Sequence, residues 1–228
     1  FPQYHTAESY FSVVEDGIFV YFKNSLFLAV MGTIITVITS AMCGYALAIY
    51  RKELSYTNKV FAVFLLGTLI PGEILTIAQF TVVSEMGLYN NIWGCILPVV
   101  TTTTGIFMYR QPYMSIPLEL AESARIDGAN EALIFGKIML PLGSAVTITL
   151  TIFSFMWRWN DYILPLMLLS DQKNFTIQIA VKSYIGTMGV DWNSILSASV
   201  LSIVPVIIIF IFLQKYITGG IAATGVKG

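Results

Sequence analysis

Residues 117–142 read P-L-E-L-A-E-S-A-R-I-D-G-A-N-E-A-L-I-F-G-K-I-M-L-P-L and keep charge at helical spacing in a chain that is otherwise mostly apolar. Helix-forming residues precede Gly128, which interrupts them, and a second amphipathic piece follows it. Pro117 suits the first turn of a helix. The pattern predicts two short helices around a bend, in a loop over residues 117–140 that lies outside the apolar segments.

The surface of this loop combines small side chains, which permit close approach of another backbone, with charged ones. The small residues are Ala121, Ala124 and Gly128, and the charged ones are Glu119, Glu122, Arg125 and Glu131. Asp127 is a candidate N-cap for the second helix. Two interpretations are open: the loop engages a partner protein, or it is an amphipathic helix that lies on a membrane surface.

The composition of the whole chain places it in a bilayer. Hydrophobic residues make up 56% and charged residues 11%, and the mean hydropathy is +0.77. A soluble domain carries about 25% charged residues. The net charge of -1 argues against a nucleic-acid partner. We therefore expect an all-α, polytopic membrane helix bundle that forms a single domain over residues 1–228.

Five apolar runs are long enough to cross a membrane as helices. The predicted spans cover about residues 26–50, 60–83, 92–109, 142–166 and 195–213. Pro71 and Gly72 interrupt the second run, and such a break is tolerated where the freed backbone groups are satisfied or face a cavity. The first run holds small residues that suit close helix packing, namely Gly32, Thr33, Thr36, Ser40, Ala41 and Gly44.

The distribution of basic residues predicts the orientation. Basic residues are enriched in cytoplasmic loops, and most of them fall on one side of the alternating spans. That side holds Arg51, Lys52, Lys59, Arg110, Arg125, Lys137, Lys215 and Lys227, and the other holds Lys23, Lys173 and Lys182. The loop over residues 117–140 and the C-terminus are therefore expected in the cytoplasm.

The sequence lacks the common motifs of catalysis and metal binding. It has no G-x-x-x-x-G-K-[ST] phosphate loop, no G-x-S-x-G and no H-E-x-x-H. His5 is the only histidine, and Cys43 and Cys95 lie in predicted spans. Neither a zinc site nor a disulfide framework is expected, so the sequence predicts a protein that is not an enzyme and holds no metal.

A second cluster of polar and aromatic residues lies near the end of the fourth predicted span. A charged residue within a span is costly and by default marks a functional position in the bundle interior. Tryptophan faces can stack on a sugar ring, and polar neighbours can bind its hydroxyls. The alternatives are an interfacial belt of Trp and charge or a simple Arg–Asp pair. The candidate pathway residues are Trp157, Arg158, Trp159, Asn160 and Asp161 in this cluster, together with Gln79 in the second predicted span.

The segment from Glu122 to Ala129 follows the pattern E-x-A-x-x-D-G-A and precedes a hydrophobic stretch and L-P. It resembles the EAA loop of bacterial ABC-importer permeases, with Ser123 where the family usually has Ala. Other matches resemble the MalG-like carbohydrate branch and extend the resemblance over nearly the whole chain. They are Asn24-Ser25, Tyr45-Ala46, Trp159-Asn160-Asp161 and Gly225-Val226-Lys227-Gly228.

The resemblance implies a type I importer permease fold with a sixth span before Phe1, in the bacterial cytoplasmic membrane. It implies that the loop docks into a cleft on an ATP-hydrolysing subunit and that the tail reaches the ATPase dimer interface. The implied partners are a MalF-like second permease subunit, two ATP-binding cassette subunits that hold ATP and Mg²⁺, and an extracellular solute-binding protein; no cofactor is expected on this chain. The implied contact residues are Glu119, Glu122, Ala124, Asp127, Gly128 and Ala129 in the loop, and Gly225 and Lys227 in the tail.

The sequence therefore leads to a membrane subunit of an ATP-driven importer for a sugar or oligosaccharide. An ion-gradient-driven secondary transporter or channel is the alternative. It needs intramembrane acids, for which Glu73 and Asp161 are candidates, and usually an internal repeat, which is not evident. A non-transporting scaffold is a third class, and it would leave the loop over residues 117–140 without a partner to engage.

Overall fold

The computed structural model describes residues 7–186 and 189–225, which are almost entirely helical. Short 3-10 helices cover Leu97–Val99 and Gln172–Asn174, and a π-helical segment covers Phe135–Met139. Two short strands, β1 (Ile185–Gly186) and β2 (Gly189–Val190), pair antiparallel. The α-helices are α1 (Glu8–Glu15), α2 (Ile18–Ile49), α3 (Thr57–Gly67), α4 (Gly72–Glu85), α5 (Ile92–Ile96), α6 (Thr103–Ser115), α7 (Glu119–Ile126), α8 (Glu131–Ile134), α9 (Leu140–Leu142), α10 (Ser144–Trp159), α11 (Ile163–Leu168), α12 (Ile177–Ser183) and α13 (Trp192–Gly225).

Two helices, α2 and α13, are long and apolar enough to cross a membrane without a break. Three further candidates are helix pairs that are bent at a short break. The pair α3 and α4 is bent by 101°, the segment Ile92–Val99 and α6 by 42°, and the segment Glu131–Leu142 and α10 by 81°. The described residues thus contain two to five candidate spans, and the predicted all-helical membrane fold is confirmed.

The breaks in the spans have local causes. Pro71 lies between α3 and α4, and its carbonyl oxygen accepts the first backbone bonds of α4, from Ile74 and Leu75 at 3.1 and 3.4 Å. The fourth predicted span, 142–166, is not one helix, because α10 ends at Trp159 and α11 follows as a separate helix. Pro165 explains this, since within a continuous helix it could not donate to residue 161 and its ring would clash there.

Contacts along the chain group it into two compact units. The first unit comprises the described parts of Phe1–Gly32, Thr76–Pro98 and Phe155–Phe212. The Asn24 side chain donates to the carbonyl oxygens of Lys173 and Phe175 at 2.8 and 3.0 Å. These bonds hold the beginning of α2 against the segment before α12. The buried core of this unit consists of Val13, Ile18, Tyr21, Ala29, Phe155, Trp159, Ile177, Ala180 and Ala198.

The second unit comprises the described parts of Thr33–Leu75, Val99–Ser154 and Leu213–Gly228. Its core consists of Ala41, Tyr45, Ala48, Ile49, Tyr109, Tyr113, Ala121, Ile134, Met139 and Leu150. At Gly44, α2 lies so close to α6 that an added Cβ would be 2.6 Å from the Tyr109 Cβ and 3.0 Å from the Arg110 backbone nitrogen. The predicted close packing through small residues of the first span is confirmed at this position.

Candidate functional site

Helix α7 anchors one face in the core of the second unit and leaves the other face open. Ala121 is 1% exposed and belongs to that core. Ile126, in the last turn, is 86% exposed. This is the highest exposed fraction among the large apolar side chains of the described residues. The exposed residues around it are Glu119, Leu120, Glu122, Ser123, Asp127, Gly128 and Asn130.

The bend after α7 is a Schellman turn at Gly128. The Gly128 N–H donates to the Arg125 carbonyl at 3.0 Å, and the Ala129 N–H donates to the Ala124 carbonyl at 2.9 Å. Gly128 has φ +84°, a left-handed conformation that glycine adopts without steric cost. The turn ends α7 and leaves residues 126–128 exposed at the bend.

The following helix is capped by Asn130 and not by Asp127, so the sequence-based choice of cap was wrong. The Asn130 side-chain oxygen accepts from the Leu133 N–H at 2.9 Å. Asp127 is instead the C-terminal cap residue of α7. The left-handed turn at Gly128 adds residues between the two helices, and the cap therefore moves three positions along the chain.

The loop residues that were expected to contact a partner fall into two groups. Glu119, Glu122, Asp127 and Gly128 are exposed, whereas Ala124 and Ala129 are partly buried and pack against the core of their own unit. Small size at those two positions therefore allows α7 and the turn after it to lie close to the rest of the second unit.

Two of the six charged residues in the loop over residues 117–140 pair with each other. The Arg125 Nε lies 2.7 Å from the Glu131 Oε1, and the Tyr45 hydroxyl donates to the Glu131 Oε2 at 2.5 Å. The Arg125 guanidinium also lies 5.6 Å from the ring centroid of Tyr50. The expectation that Arg125 and Glu131 present their charges outward is therefore corrected, because these charges are engaged within the chain.

The second predicted cluster divides between the interior and the surface of the first unit. Trp159 is 1% exposed, stacks on Phe155 with centroids 5.6 Å apart, and meets Phe22 edge-on at 5.4 Å. Its Nε1 donates to the Ser202 carbonyl at 2.9 Å. Arg158 is also buried, with its side chain against Gly32. Both side chains are thus packed within this unit.

Other members of the cluster are accessible. Trp157 is 48% exposed, and Asn160 is exposed and donates to the Met156 carbonyl at 2.8 Å. Asp161 is partly buried, and its carboxylate accepts from backbone N–H groups at the beginning of α11. Gln79 is partly exposed in the middle of α4. Trp157 and Asn160 are therefore the two members that most openly face the surroundings of this unit.

The expected tail contacts lie at the end of the chain. Gly225 is the last residue of α13, and Lys227 lies outside the described residues.

Comparisons with known proteins agree with this architecture. The family model "Binding-protein-dependent transport system inner membrane component" matches residues 17–222. The arabinooligosaccharides transport system permease protein AraQ of Bacillus subtilis (strain 168) is 35% identical over 93% of this chain and 76% of its own length. The sn-glycerol-3-phosphate transport system permease protein UgpE of Yersinia pestis bv. Antiqua (strain Antiqua) is 30% identical over 87% of this chain and 70% of its own.

A solved structure shares the fold over most of both chains. A chain in the structure of a bacterial ABC transporter involved in the import of the acidic polysaccharide alginate superposes with a TM-score of 0.81 and 25% identity. The match covers 91% of this chain and 78% of the other. The protein therefore belongs to the family of binding-protein-dependent transport system inner membrane components, and it is a permease subunit of an ABC importer and not an enzyme.

Proposed function

We propose that this permease subunit translocates a sugar or oligosaccharide and takes its driving force from a separate ATPase that engages the exposed end of α7. A second permease subunit would complete the pathway, two ATP-binding cassette subunits would bind ATP and Mg²⁺, and an external binding protein would deliver the substrate. Since a polar sugar cannot cross hydrocarbon unaided, the helices must enclose it. Binding of ATP would shift the permease between its two access states by differential contacts.

The observation that carries this proposal is the surface of α7. An apolar side chain, Ile126, stands almost fully exposed beside the carboxylates of Glu122 and Asp127 on a helix whose other face is anchored by Ala121. A central apolar anchor surrounded by polar groups is the arrangement of a protein-binding surface. A helix lying on a membrane would instead group its apolar residues in one lipid-facing stripe.

The orientation and the site assignments are part of the same proposal. We place residues 117–140 and the C-terminus in the cytoplasm, because most Lys and Arg residues fall on that side, and the ATPase works from there. The loop contacts are assigned to Glu119, Glu122, Asp127 and Gly128, while Ala124 and Ala129 support the helix from behind. Gly225 and Lys227 are proposed to contact the ATPase dimer.

The substrate class follows from the relatives, whose names include an arabinooligosaccharide and an sn-glycerol-3-phosphate permease. Both substrates carry hydroxyl groups, which we assign to the Asn160 amide, and we assign the exposed Trp157 ring to stack on the sugar rings of an oligosaccharide. Gln79 and Asp161 are assigned to the pathway with them. Arg158 and Trp159 would act from inside the unit by holding the end of α10.

Uptake into proteoliposomes tests the proposal. The chain is reconstituted with its second permease subunit and ATPase, the binding protein is added outside, and labelled arabino-oligosaccharide and sn-glycerol-3-phosphate are supplied in separate reactions. We expect uptake of the oligosaccharide that requires ATP on the ATPase side and persists with proton and sodium ionophores. Uptake that ignores ATP and stops with an ionophore would support a secondary transporter instead.

The division between Trp157 and Trp159 predicts opposite phenotypes for two neighbouring substitutions. Trp159→Ala removes a buried ring with its aromatic contacts and hydrogen bond, and it is expected to cost about 3–5 kcal/mol of stability. Trp157→Ala removes a half-exposed ring, and it is expected to lower the melting temperature in detergent much less than Trp159→Ala does, while it weakens uptake at low substrate concentration. Equal losses of thermal stability in the two variants would show that Trp157 is a packing residue.

A further inference from the structure

Glu131 connects three elements of the second unit through one carboxylate. Its Oε1 accepts from Arg125, in α7, at 2.7 Å, and its Oε2 accepts from the Tyr45 hydroxyl, in α2, at 2.5 Å. Glu131 itself is the first residue of α8. The carboxylate therefore joins both sides of the bend at Gly128 to a helix long enough to cross the membrane.

Aromatic contacts surround this connection. The ring centroid of Tyr45 lies 5.6 Å from that of Phe135 and 6.3 Å from that of Tyr50. Tyr45 is only 6% exposed, so its hydroxyl is costly to leave without an acceptor. An exposed ion pair alone contributes little, but a shared carboxylate with a buried hydroxyl donor favours one spacing between α8 and α2.

Packing between α2 and the segment that begins with α8 is incomplete beside this connection. An open cavity of about 370 Å³ lies beside the connection, and its lining includes Met42, Tyr45, Glu131 and Phe135. Space on this scale would let α8 shift against α2 if the hydrogen bonds were absent.

We propose that Glu131 is a positioning residue that makes α2 move together with α7 when the ATPase displaces α7. The proposal rests on the proposed function, since it assigns the path by which motion at the docking surface enters the membrane helices. Glu131 does not contact the ATPase in this scheme. It acts by holding Tyr45 and Arg125 in one arrangement.

The charge of Glu131 supports a connection that is permanent at neutral pH. The hydrogen bond from Arg125, followed by that from Tyr45, lowers the pKa of Glu131 from its ordinary value of 4.5 to about 2. Because the pKa of Glu131 is depressed in the folded state, its charged carboxylate contributes fully to stability when the pH is above the ordinary pKa. This contribution to stability is lost as the pH falls towards 2. Between pH 6 and pH 8 the connection is therefore expected to be independent of pH.

A distance measurement in the assembled, ATP-hydrolysing importer tests the proposal. Spin labels replace the exposed residues Ile38, in α2, and Lys137, beyond α8, after Cys43 and Cys95 are changed to Ala. Double electron–electron resonance then measures the distance between the two labels in the nucleotide-free complex and in the complex trapped by ATP and vanadate. We expect the same label distance in both states for the parent chain, because the two segments move as one body.

Three variants complete the experiment. Tyr45→Phe and Glu131→Ala are expected to broaden and shift the distance distribution on trapping, whereas Glu131→Gln, which keeps an acceptor oxygen for Tyr45, is expected to shift it less. Tyr113→Phe is the matched control, because Tyr113 belongs to the same core and its hydroxyl has no hydrogen-bond partner among the described residues. We expect this control to match the parent chain.

The outcomes separate the two proposals. If Tyr45→Phe and Glu131→Ala give the parent distances in both states while ATP is hydrolysed, the positioning role of Glu131 is overturned and the docking surface stands. If the parent chain assembles with no ATPase and the preparation hydrolyses no ATP, the proposed function itself fails, and the role of Glu131 fails with it.

Discussion

Replacing Gly128 by valine is expected to lower the ATP hydrolysis of the assembled importer about tenfold or more, while the permease still folds and reaches the membrane. Gly128 has φ +84°, and this left-handed conformation costs an L-residue about 1–2 kcal/mol. Because each 1.4 kcal/mol changes an equilibrium constant about tenfold, valine would shift the equilibrium away from the native turn by about that factor. An added Cβ meets nothing within 4 Å. The loss therefore comes from the backbone of the turn, which would reorient the exposed end of α7. The measurement is the ATPase rate per assembled complex.

Gly17 provides a control with the same backbone strain. It has φ +85°, and an added Cβ there also meets nothing within 4 Å, but it lies in the first unit, between α1 and the beginning of α2. Gly17→Val is expected to affect stability as Gly128→Val does and to leave the ATPase rate per complex unchanged. A parental rate in Gly128→Val, or equal loss of rate in both variants, would refute a special role for this turn.

Replacing Gly44 by leucine is expected to lower the melting temperature of the protein in detergent more than any other single glycine change discussed above. The added Cβ would lie 2.6 Å from the Tyr109 Cβ and 3.0 Å from the Arg110 backbone nitrogen. Since these atoms belong to the backbone and first side-chain carbon of α6, the helices must separate. Overpacking of a core costs about 1–3 kcal/mol or more, and the rest of the leucine side chain adds to this strain. Thermal unfolding with a buried-thiol probe reports the loss.

Gly67 is the matched control for Gly44. It closes α3, has no left-handed backbone conformation, and an added Cβ there meets nothing within 4 Å. Gly67→Leu is expected to leave the melting temperature close to that of the parent chain. If both leucine variants melt at the same temperature, α2 and α6 are not held by close backbone contact at Gly44.

The helical class and the bend at Gly128 could be predicted from sequence, because both depend on local signals. Apolar length determines which helices can cross a membrane, and a glycine between two amphipathic pieces marks a turn. The N-cap could not be assigned to Asn130, because Asp127 and Asn130 are both good caps and the Schellman turn decides between them. The break after Trp159 was also missed, although Pro165 in the following residues carries a signal for it.

The contacts that distinguish the candidate residues lie far apart in sequence. Tyr45 and Glu131 are 86 positions apart, so no local pattern shows that the carboxylate of Glu131 accepts from Tyr45. The burial of Trp159 likewise depends on Phe22 and on the Ser202 carbonyl, which other helices supply. Composition identifies Trp157 and Trp159 as equal candidates for a sugar contact, and only packing separates the buried ring from the accessible one.

Site-specific photo-cross-linking tests the central claim, that a separate ATPase docks on the exposed end of α7. A benzoylphenylalanine is placed at position 126 instead of Ile126, which is 86% exposed, and in a second chain at position 86 instead of Met86, which is 60% exposed and lies in the first unit. In complexes that hydrolyse ATP, irradiation is expected to join the chain to the ATPase from position 126 and not from position 86. An active complex with no ATPase adduct at position 126 would contradict the account.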